Sequence, residues 1–489
     1  MSLVFLMLCA VAQNKVNLWM GGEHGGIDFN GDSAVSLYRP DNSIVWRTSA
    51  SICDSGGNLL FYTNGFQVFN RNFELMENGD SLNIGDYITF GYDLLALPDA
   101  ALIISFPENS NKYYLFHFDN NYNEIDFQSW LFPNHLFYCV IDMSLDGGLG
   151  GIEQDTKDKL VLTDTLCMFG MQAVKHGNGR DWWLLFHEYG TNSFYKFLID
   201  KYGIHGPFKQ GIGNIYKLVN AQVSSPMKFS TDGNLFVHQS RDSNIVELFD
   251  FNRCSGELSN YRTFQINEDW VPVRGMSISP SDRYLYASSN FKEILQFDLQ
   301  APDIFQSRTV IGTDDGIGDP FAANYYLHQL GPDGKIYVTS YDGVYSIHVI
   351  NEPDSGGLAS NFVQRGFELV DGSSWWGGTP NIPNYSLGPL QGSECDTLTA
   401  ISNQPQSVLT YGLYPNPCFN SAQLSISGAT DKAEIFLYNI FGQLLYKITA
   451  FPSNNFIHTQ LPVRDLVAGI YLVKVSMGKK EISQKLVKR

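Results

Sequence analysis

"STDGNLFVHQSRDSNIVELFDF" (230–251) is the stretch whose reading decides the fold. A polar turn, Asp232-Gly233-Asn234, leads into an apolar run. A second polar break at 241–244 leads into another run that closes on an aromatic and Asp. Turn residues bracketing short runs rich in β-branched and aromatic side chains read as two strands joined by a tight connection. The phrase recurs on both sides. It appears as "DSGGNLLFYTNGFQVFN" (54–70), "PENSNKYYLFHFD" (107–119), "HGNGRDWWLLFHEYGTNSFYKFLID" (176–200), "SPSDRYLYASSNFKEILQFDL" (279–299) and "GPDGKIYVTSYDGVYSIHVI" (331–350).

Aligning the turns at Asn178, Asp232, Asp282 and Asp333 gives spacings of 54, 50 and 51 residues. Asp54 and Asn109 are 55 apart, and the wider gap of 69 to Asn178 leaves room for an insertion around "DMSLDGGLGG" (142–151). A period near 50 residues built of short strands marks the blades of a β-propeller, in which ring closure covers the faces and edges that one small sheet leaves open. Seven blades are expected, with six or eight as alternatives. The seventh would combine residues 345–385 with the N-terminal strand near 16–22. A pair of β-sandwiches with the same turn chemistry is the competing architecture.

Composition agrees with an all-β chain. Charged residues are 17% and aromatics 14% of 489 residues, with 45 glycines. The net charge is −18, yet residues 410–489 hold nine Lys and Arg against four Asp and Glu, which leaves −23 for the rest. With no basic stripe outside the tail, nucleic acid is not an expected partner. The N-terminus, "MSLVFLMLCAVAQN", ends an apolar run in Ala10-Val11-Ala12 and reads as a signal peptide of residues 1–12 without the usual basic start. No later run is long enough to span a bilayer. Six cysteines follow residue 12, at 53, 139, 167, 254, 395 and 418. Disulfides are permitted in any of fifteen pairings, and the wide spacing argues against a zinc cluster.

The domain reading is therefore 13–385 propeller, 386–411 linker and 412–489 a small Ig-like β-sandwich. The linker is rich in Ser, Gly, Pro and Thr. After it, "YPNP" (414–417) opens alternating strands at 422–428, 433–448 and 469–488. Tyr471, Val473 and Val475 fall on one face of a strand and Ile470 and Leu472 on the other, as in a central strand buried on both faces.

Two resemblances follow from these segments. "GIDFNGDSAVSL", "ASICDSGGNLLFYTNGFQVFNRNFELMENGDSL" and "VIDMSLDGGLGG" resemble a propeller region of secreted multidomain proteins of Bacteroidetes, which implies fold and export but no reaction. "LYPNP", "LYNIFGQLLY", "LVAGIYLVKV" and the terminal "KLVK" resemble the type A C-terminal sorting domain of the type IX secretion system. That resemblance places the motif on Tyr414, Pro415, Asn416, Pro417, Gly442, Gly469, Tyr471, Val473, Lys485 and Lys488. It departs from the family in "QLPVRDLVAGIY", where a single Leu is usual. It implies that residues 412–489 engage the outer-membrane secretion machinery. It also implies delivery through the periplasm to the outside or the cell surface, commonly with removal of the tail.

A search for chemistry is sparse. There is no G-x-S-x-G and no H-E-x-x-H. No cofactor is expected; calcium is the one ion that "DFNGDS" (28–33) and "TDDGIGD" (313–319) would suit, and turn chemistry accounts for both. The blade alignment puts Gln172, Ser225, Arg274 and His328 just before equivalent inner strands, facing one another at a channel mouth. Trp375 and Trp376 would form an aromatic platform for sugar rings. The favoured function is a non-enzymatic extracellular protein that binds a glycan or protein. The alternatives are a secreted carbohydrate-active lyase or hydrolase using the channel mouth, and a structural or adhesive surface component.

Overall fold

The computed structural model describes residues 14–86, 94–95, 97–125, 128–167, 170–215, 226–240, 244–267, 273–318, 320–396, 410–427, 429, 431–453, 456–477 and 480–489. The expected signal peptide and Ser225 lie outside them. Within the described residues no helix is long and apolar enough to cross a membrane.

Seven small antiparallel sheets follow one another along the chain and meet through their first strands, which pack side by side around an axis. Blade 1 holds Leu18–Glu23, Gly25–Asp28 and Val35–Tyr38, with Ile44–Val45 on the other side of Leu18–Glu23. Blade 2 is Ala50–Cys53, Leu59–Thr63 and Val68–Asn70. Blade 3 starts at Ala101–Ser105 and continues through Lys112–Phe118, His135–Asp142 and Lys159–Thr163. Blades 4, 5, 6 and 7 begin at Gln172–Lys175, Met227–Phe229, Val273–Ile278 and His328–Leu330, each the inner strand of a four-stranded sheet. The long gap between turns in blade 3 holds Gly151–Ile152, as expected, and also a separate hairpin of Asn121–Ile125 with Gln128–Phe132.

The recurring turn residue does two different jobs. Asp54, Asn109, Asn178, Asp232 and Asp333 each accept a backbone N–H two residues ahead, closing the turn locally. Asp282 instead reaches across to blade 5. Its carboxylate accepts Thr231 N at 2.6 Å, Thr231 Oγ1 at 2.8 Å and Asp232 N at 3.2 Å. Each such bond nets about 1 kcal/mol, more where the acceptor is charged. Asp282→Ala is therefore expected to lower stability by about 2 kcal/mol, read as a drop in urea midpoint at unchanged slope.

Ring closure differs from the expected seventh blade. Ser346–Ile350 and Phe362–Glu368 are the outer strands of the blade that begins at His328, and the N-terminal strand founds its own sheet. The two meet at a seam. Trp19, Phe29 and Tyr337 interlock with ring centroids 4.8–5.5 Å apart, and Glu23 exchanges backbone hydrogen bonds with Ser374 at 2.9 and 3.1 Å. At that bridge Gly22 has φ +57°, and a Cβ there would lie 1.8 Å from Ser374 O, so no other residue fits.

The tail forms a separate sandwich. Thr410–Tyr414, Ala422–Ser427 and Phe456–Leu461 make one sheet. Leu444–Ala450, Ala433–Asn439, Gly469–Met477 and Lys480–Lys488 make the other, in that order. Leu424, Ile426, Ile435, Leu437, Ile457, Val473, Val475 and Leu486 fill its own core. Gly469–Met477 is central as expected, but it buries one face alone: Tyr471, Val473, Val475 and Met477 are buried, while Ile470 and Leu472 are exposed because no second layer covers the outer face of the sheet among the described residues. The sandwich leans on blade 4: Tyr414 stands edge-on to Tyr195, and Phe456 stacks on His205 with centroids 4.8 Å apart.

Candidate functional site

The centre of the ring is not an open channel. Residues 377–390, read from sequence as the end of the propeller and the start of a linker, run along the axis. Gly378 N donates to Trp46 O and Asn381 N to Ser49 O, beside the start of the blade 2 inner strand. The Asn381 amide donates to Asp99 O and Met171 O at 3.2 and 2.9 Å and accepts from Gln172 Nε2 at 3.1 Å. Further along, Tyr385 Oη donates to Ile103 O, Asn384 Nδ2 to Thr231 O, and Leu390 N to Gly177 O. These partners progress from the beginnings of the inner strands to the turns that follow them. The chain therefore passes from one face of the ring to the other. Cys395 then joins Cys254 on blade 5 in a disulfide, while Cys53, Cys139, Cys167 and Cys418 are buried thiols outside that bond.

The axial segment covers one side of the channel and leaves a cavity of about 260 Å³ on the other. Its walls are Ala173, Val174, Phe229, Ile278 and Leu330 from the inner strands of blades 4 to 7, facing Ile382, Tyr385 and Leu387 from the axial segment. Exposed Pro332, Asn384 and Ser386 form its rim. The inner end is polar. Lys228 Nζ lies 3.3 Å from Gln329 Oε1 and 3.6 Å from the buried carboxylate of Asp99. Ser277 Oγ lies 3.4 Å from His328 Nδ1.

Two of the four expected mouth residues thus meet, in a different role. Gln172 and His328 line the closed end of the cavity, which reaches the surface at the opposite face of the ring. Gln172 spends its amide on Asn381. Arg274 is not part of the lining; its guanidinium stacks 4.6 Å above the Phe291 ring, one member of a cluster with Tyr326 and Tyr341 at the other face. Lys228 was not foreseen, although a lysine inside the apolar strand "MKFS" is the signal that marks it. The aromatic platform is also corrected. Trp375 is buried against Gly21 with its Nε1 donating to Gly378 O, and Trp376 Nε1 donates to Ser374 Oγ at the seam. At the calcium candidates, Asp28, Asp314 and Asp315 accept backbone N–H groups of their own turns, and Asp315 also pairs with Arg365.

Burial pulls His328 down to about 3, with the charge of Lys228 acting in the same direction. The ring is therefore neutral in the folded protein and cannot supply a proton near neutrality. An unfolded histidine titrates near 6.5. Below that value the unfolded chain binds the extra proton, so the contribution of this neutral ring is complete above about pH 6.5 and is lost as the pH falls toward 3. His328→Gln should flatten the acid limb of the stability profile, measured as denaturant midpoints between about pH 7 and pH 4.

The tail motif converges on the last strand. Asn416 donates to Lys485 O at 2.7 Å and accepts Val487 N at 2.8 Å, Cys418 N donates to Val487 O, and Arg489 N returns to Cys418 O. Pro415 and Pro417 follow cis peptide bonds on either side of Asn416. Gly442, at φ +77°, closes the hairpin, Gly469 opens the central strand, and Tyr471 Oη donates to Val467 O. Val473 is in the core and Lys488 is buried at the seam of the two sheets.

Propeller and sandwich together define an exported β-propeller with a C-terminal address. Residues 412–489 match the family described as the secretion system C-terminal sorting domain, so the chain is sent by the type IX route to the cell surface or beyond. No curated protein matches the chain. Among solved structures it is similar to a candidate 6-phosphogluconolactonase from Bacteroides uniformis. That pair is 13% identical, covers 76% of this chain and 99% of the other, and has a TM-score of 0.42. A second candidate 6-phosphogluconolactonase, from Bacteroides fragilis, is 15% identical over 73% and 96% of the two chains, with a TM-score of 0.41. The periplasmic gluconolactonase of Pseudomonas aeruginosa is 12% identical over 75% and 98%, with a TM-score of 0.33. At these values the likenesses assign no activity.

Proposed function

We propose that the exported propeller is a binding protein whose site is the axial cavity, and that its ligand is a single polyhydroxylated molecule of monosaccharide size. One observation carries this reading. Among the described residues the lining holds one ammonium, a neutral imidazole, amides and hydroxyls above apolar walls, and its sole neighbouring carboxylate among those named, Asp99, lies behind the wall against Lys228. Such a surface can stack on a ring and hydrogen-bond its hydroxyls. It lacks the paired carboxylates of glycoside hydrolysis, and its histidine is not poised as an acid or base.

The test is a calorimetric screen of monosaccharides, uronic acids and sugar lactones against the purified protein. Binding with no turnover of any lactone is expected. Lys228→Ala should weaken the ligand at least about tenfold, the equivalent of one charge-assisted hydrogen bond near 1.4 kcal/mol. Turnover, or affinity indifferent to Lys228, would refute the proposal.

A further inference from the structure

Blade 3 gathers three ligand-type side chains well away from the axial cavity. His117 sits on Lys112–Phe118, Cys139 on His135–Asp142, and Asp158 just before Lys159–Thr163; one ligand atom from each lies within 4.8 Å of the others. The register explains the convergence. His117 pairs with Phe137 and Leu115 with Cys139, which makes His117 and Cys139 diagonal neighbours on one face of the sheet. Tyr138 pairs with Lys159, which delivers Asp158 to the same place.

His117 and Cys139 are fully buried, while the Asp158 side chain keeps 22% of its surface in water. His117 Nε2 lies 3.1 Å from Asp158 Oδ1, yet neither ring nitrogen makes an aligned hydrogen bond. A fully buried imidazole whose nitrogens have no well-aligned partner is costly. One ion shared by both partners removes part of that cost. Ligands held at about 2.0–2.1 Å from a tetrahedral centre stand about 3.3 Å apart, close to the 3.1 Å between His117 Nε2 and Asp158 Oδ1, with Cys139 Sγ within 4.8 Å of both. Asp158 N also donates to Cys139 Sγ at 3.3 Å, an outer interaction of the kind that steadies a metal-bound thiolate. The thiolate and carboxylate charges together balance a divalent ion.

We propose that His117, Cys139 and Asp158 bind one zinc ion, with water completing the tetrahedron on the Asp158 side. Mixed nitrogen, sulfur and oxygen ligation with four positions suits zinc over calcium or magnesium, which take oxygen alone.

The test uses the full chain, stripped with a chelator and reloaded with Zn²⁺ or Co²⁺. One zinc per chain should survive desalting, and the cobalt form should show a thiolate-to-cobalt charge-transfer band in the near ultraviolet. Cys139→Ser should abolish that band. Asp158→Asn, at the wet side of the cluster, should weaken zinc at least about tenfold with unchanged far-ultraviolet dichroism. A wild-type cobalt form with no charge-transfer band would overturn the proposal, and this readout stands even if Cys139→Ser does not fold. Equal zinc retention by wild type and Asp158→Asn would also overturn it, leaving a metal-free His117–Asp158 ion pair.

Discussion

A chain ending at residue 411 should fold its propeller normally and accumulate in the periplasm, with essentially none outside the cell. The sandwich of 412–489 has a core of its own and lends the propeller core only the partly buried side chains of Tyr414 and Phe456. Its contacts with the ring fall on the outer strands of blades 3 and 4, at Thr163, Tyr195, His205 and Pro207. Stability of the ring and export of the chain are therefore separable. Thermal unfolding of the truncated protein should match the propeller transition of the full chain, while fractionation and surface proteolysis should place it inside the outer membrane. Export of the truncated chain at normal level would refute the sorting role. Asn416→Ala is the finer probe. It removes two hydrogen bonds that tie the proline-flanked turn to the last strand and is expected to cost the sandwich about 1–3 kcal/mol.

Breaking the disulfide should cost the propeller about 2–5 kcal/mol, the range for native cross-links of this kind. Cys254 and Cys395 are 141 residues apart, so the bond closes a long loop in the unfolded chain, where cross-linking restricts the ensemble most. It also fastens the far end of the axial segment, since Arg253 donates to Gly388 O and Leu390 N to Gly177 O alongside it. The double variant Cys254→Ser/Cys395→Ser should show a lower denaturant midpoint. It should also gain a protease-sensitive site within 386–396, and addition of reductant to the wild type should reproduce both changes. A midpoint unmoved by either treatment would mean that this bond does not hold the axial segment.

Much of the ring was legible in sequence because its signals are local. Asp-Gly turns followed by apolar alternation locate strands wherever the partner strand is the next one along, which is why the turns at Asp54, Asn109, Asn178, Asp232 and Asp333 fell in equivalent places. Inner-strand alignment also put Gln172 and His328 on the axis. What failed was long-range. "SIHVI" (346–350) is apolar on either assignment, so nothing local said that it belongs with His328 and not with Leu18–Glu23. The segment from Gly377 to Leu390 is rich in Pro, Gly and Asn without apolar alternation, and from Ser386 on it reads as a linker. Its order comes from partners such as Asp99 and Ile103, nearly 300 residues away in sequence. The blade 3 cluster was hidden for the same reason: His117, Cys139 and Asp158 match no spacing motif and meet only through strand register.

The axial segment also imposes an order of events. Ser374 completes the seam with Glu23, and a few residues later the same chain enters the hole that the seam encloses. A finished ring would have to be threaded by a free end carrying the whole sandwich, so the blades must instead gather around the segment and shut on it. The strand Leu18–Glu23 therefore waits, its edge unsatisfied, for residues made some 350 positions later. Until they arrive the blades form an open arc.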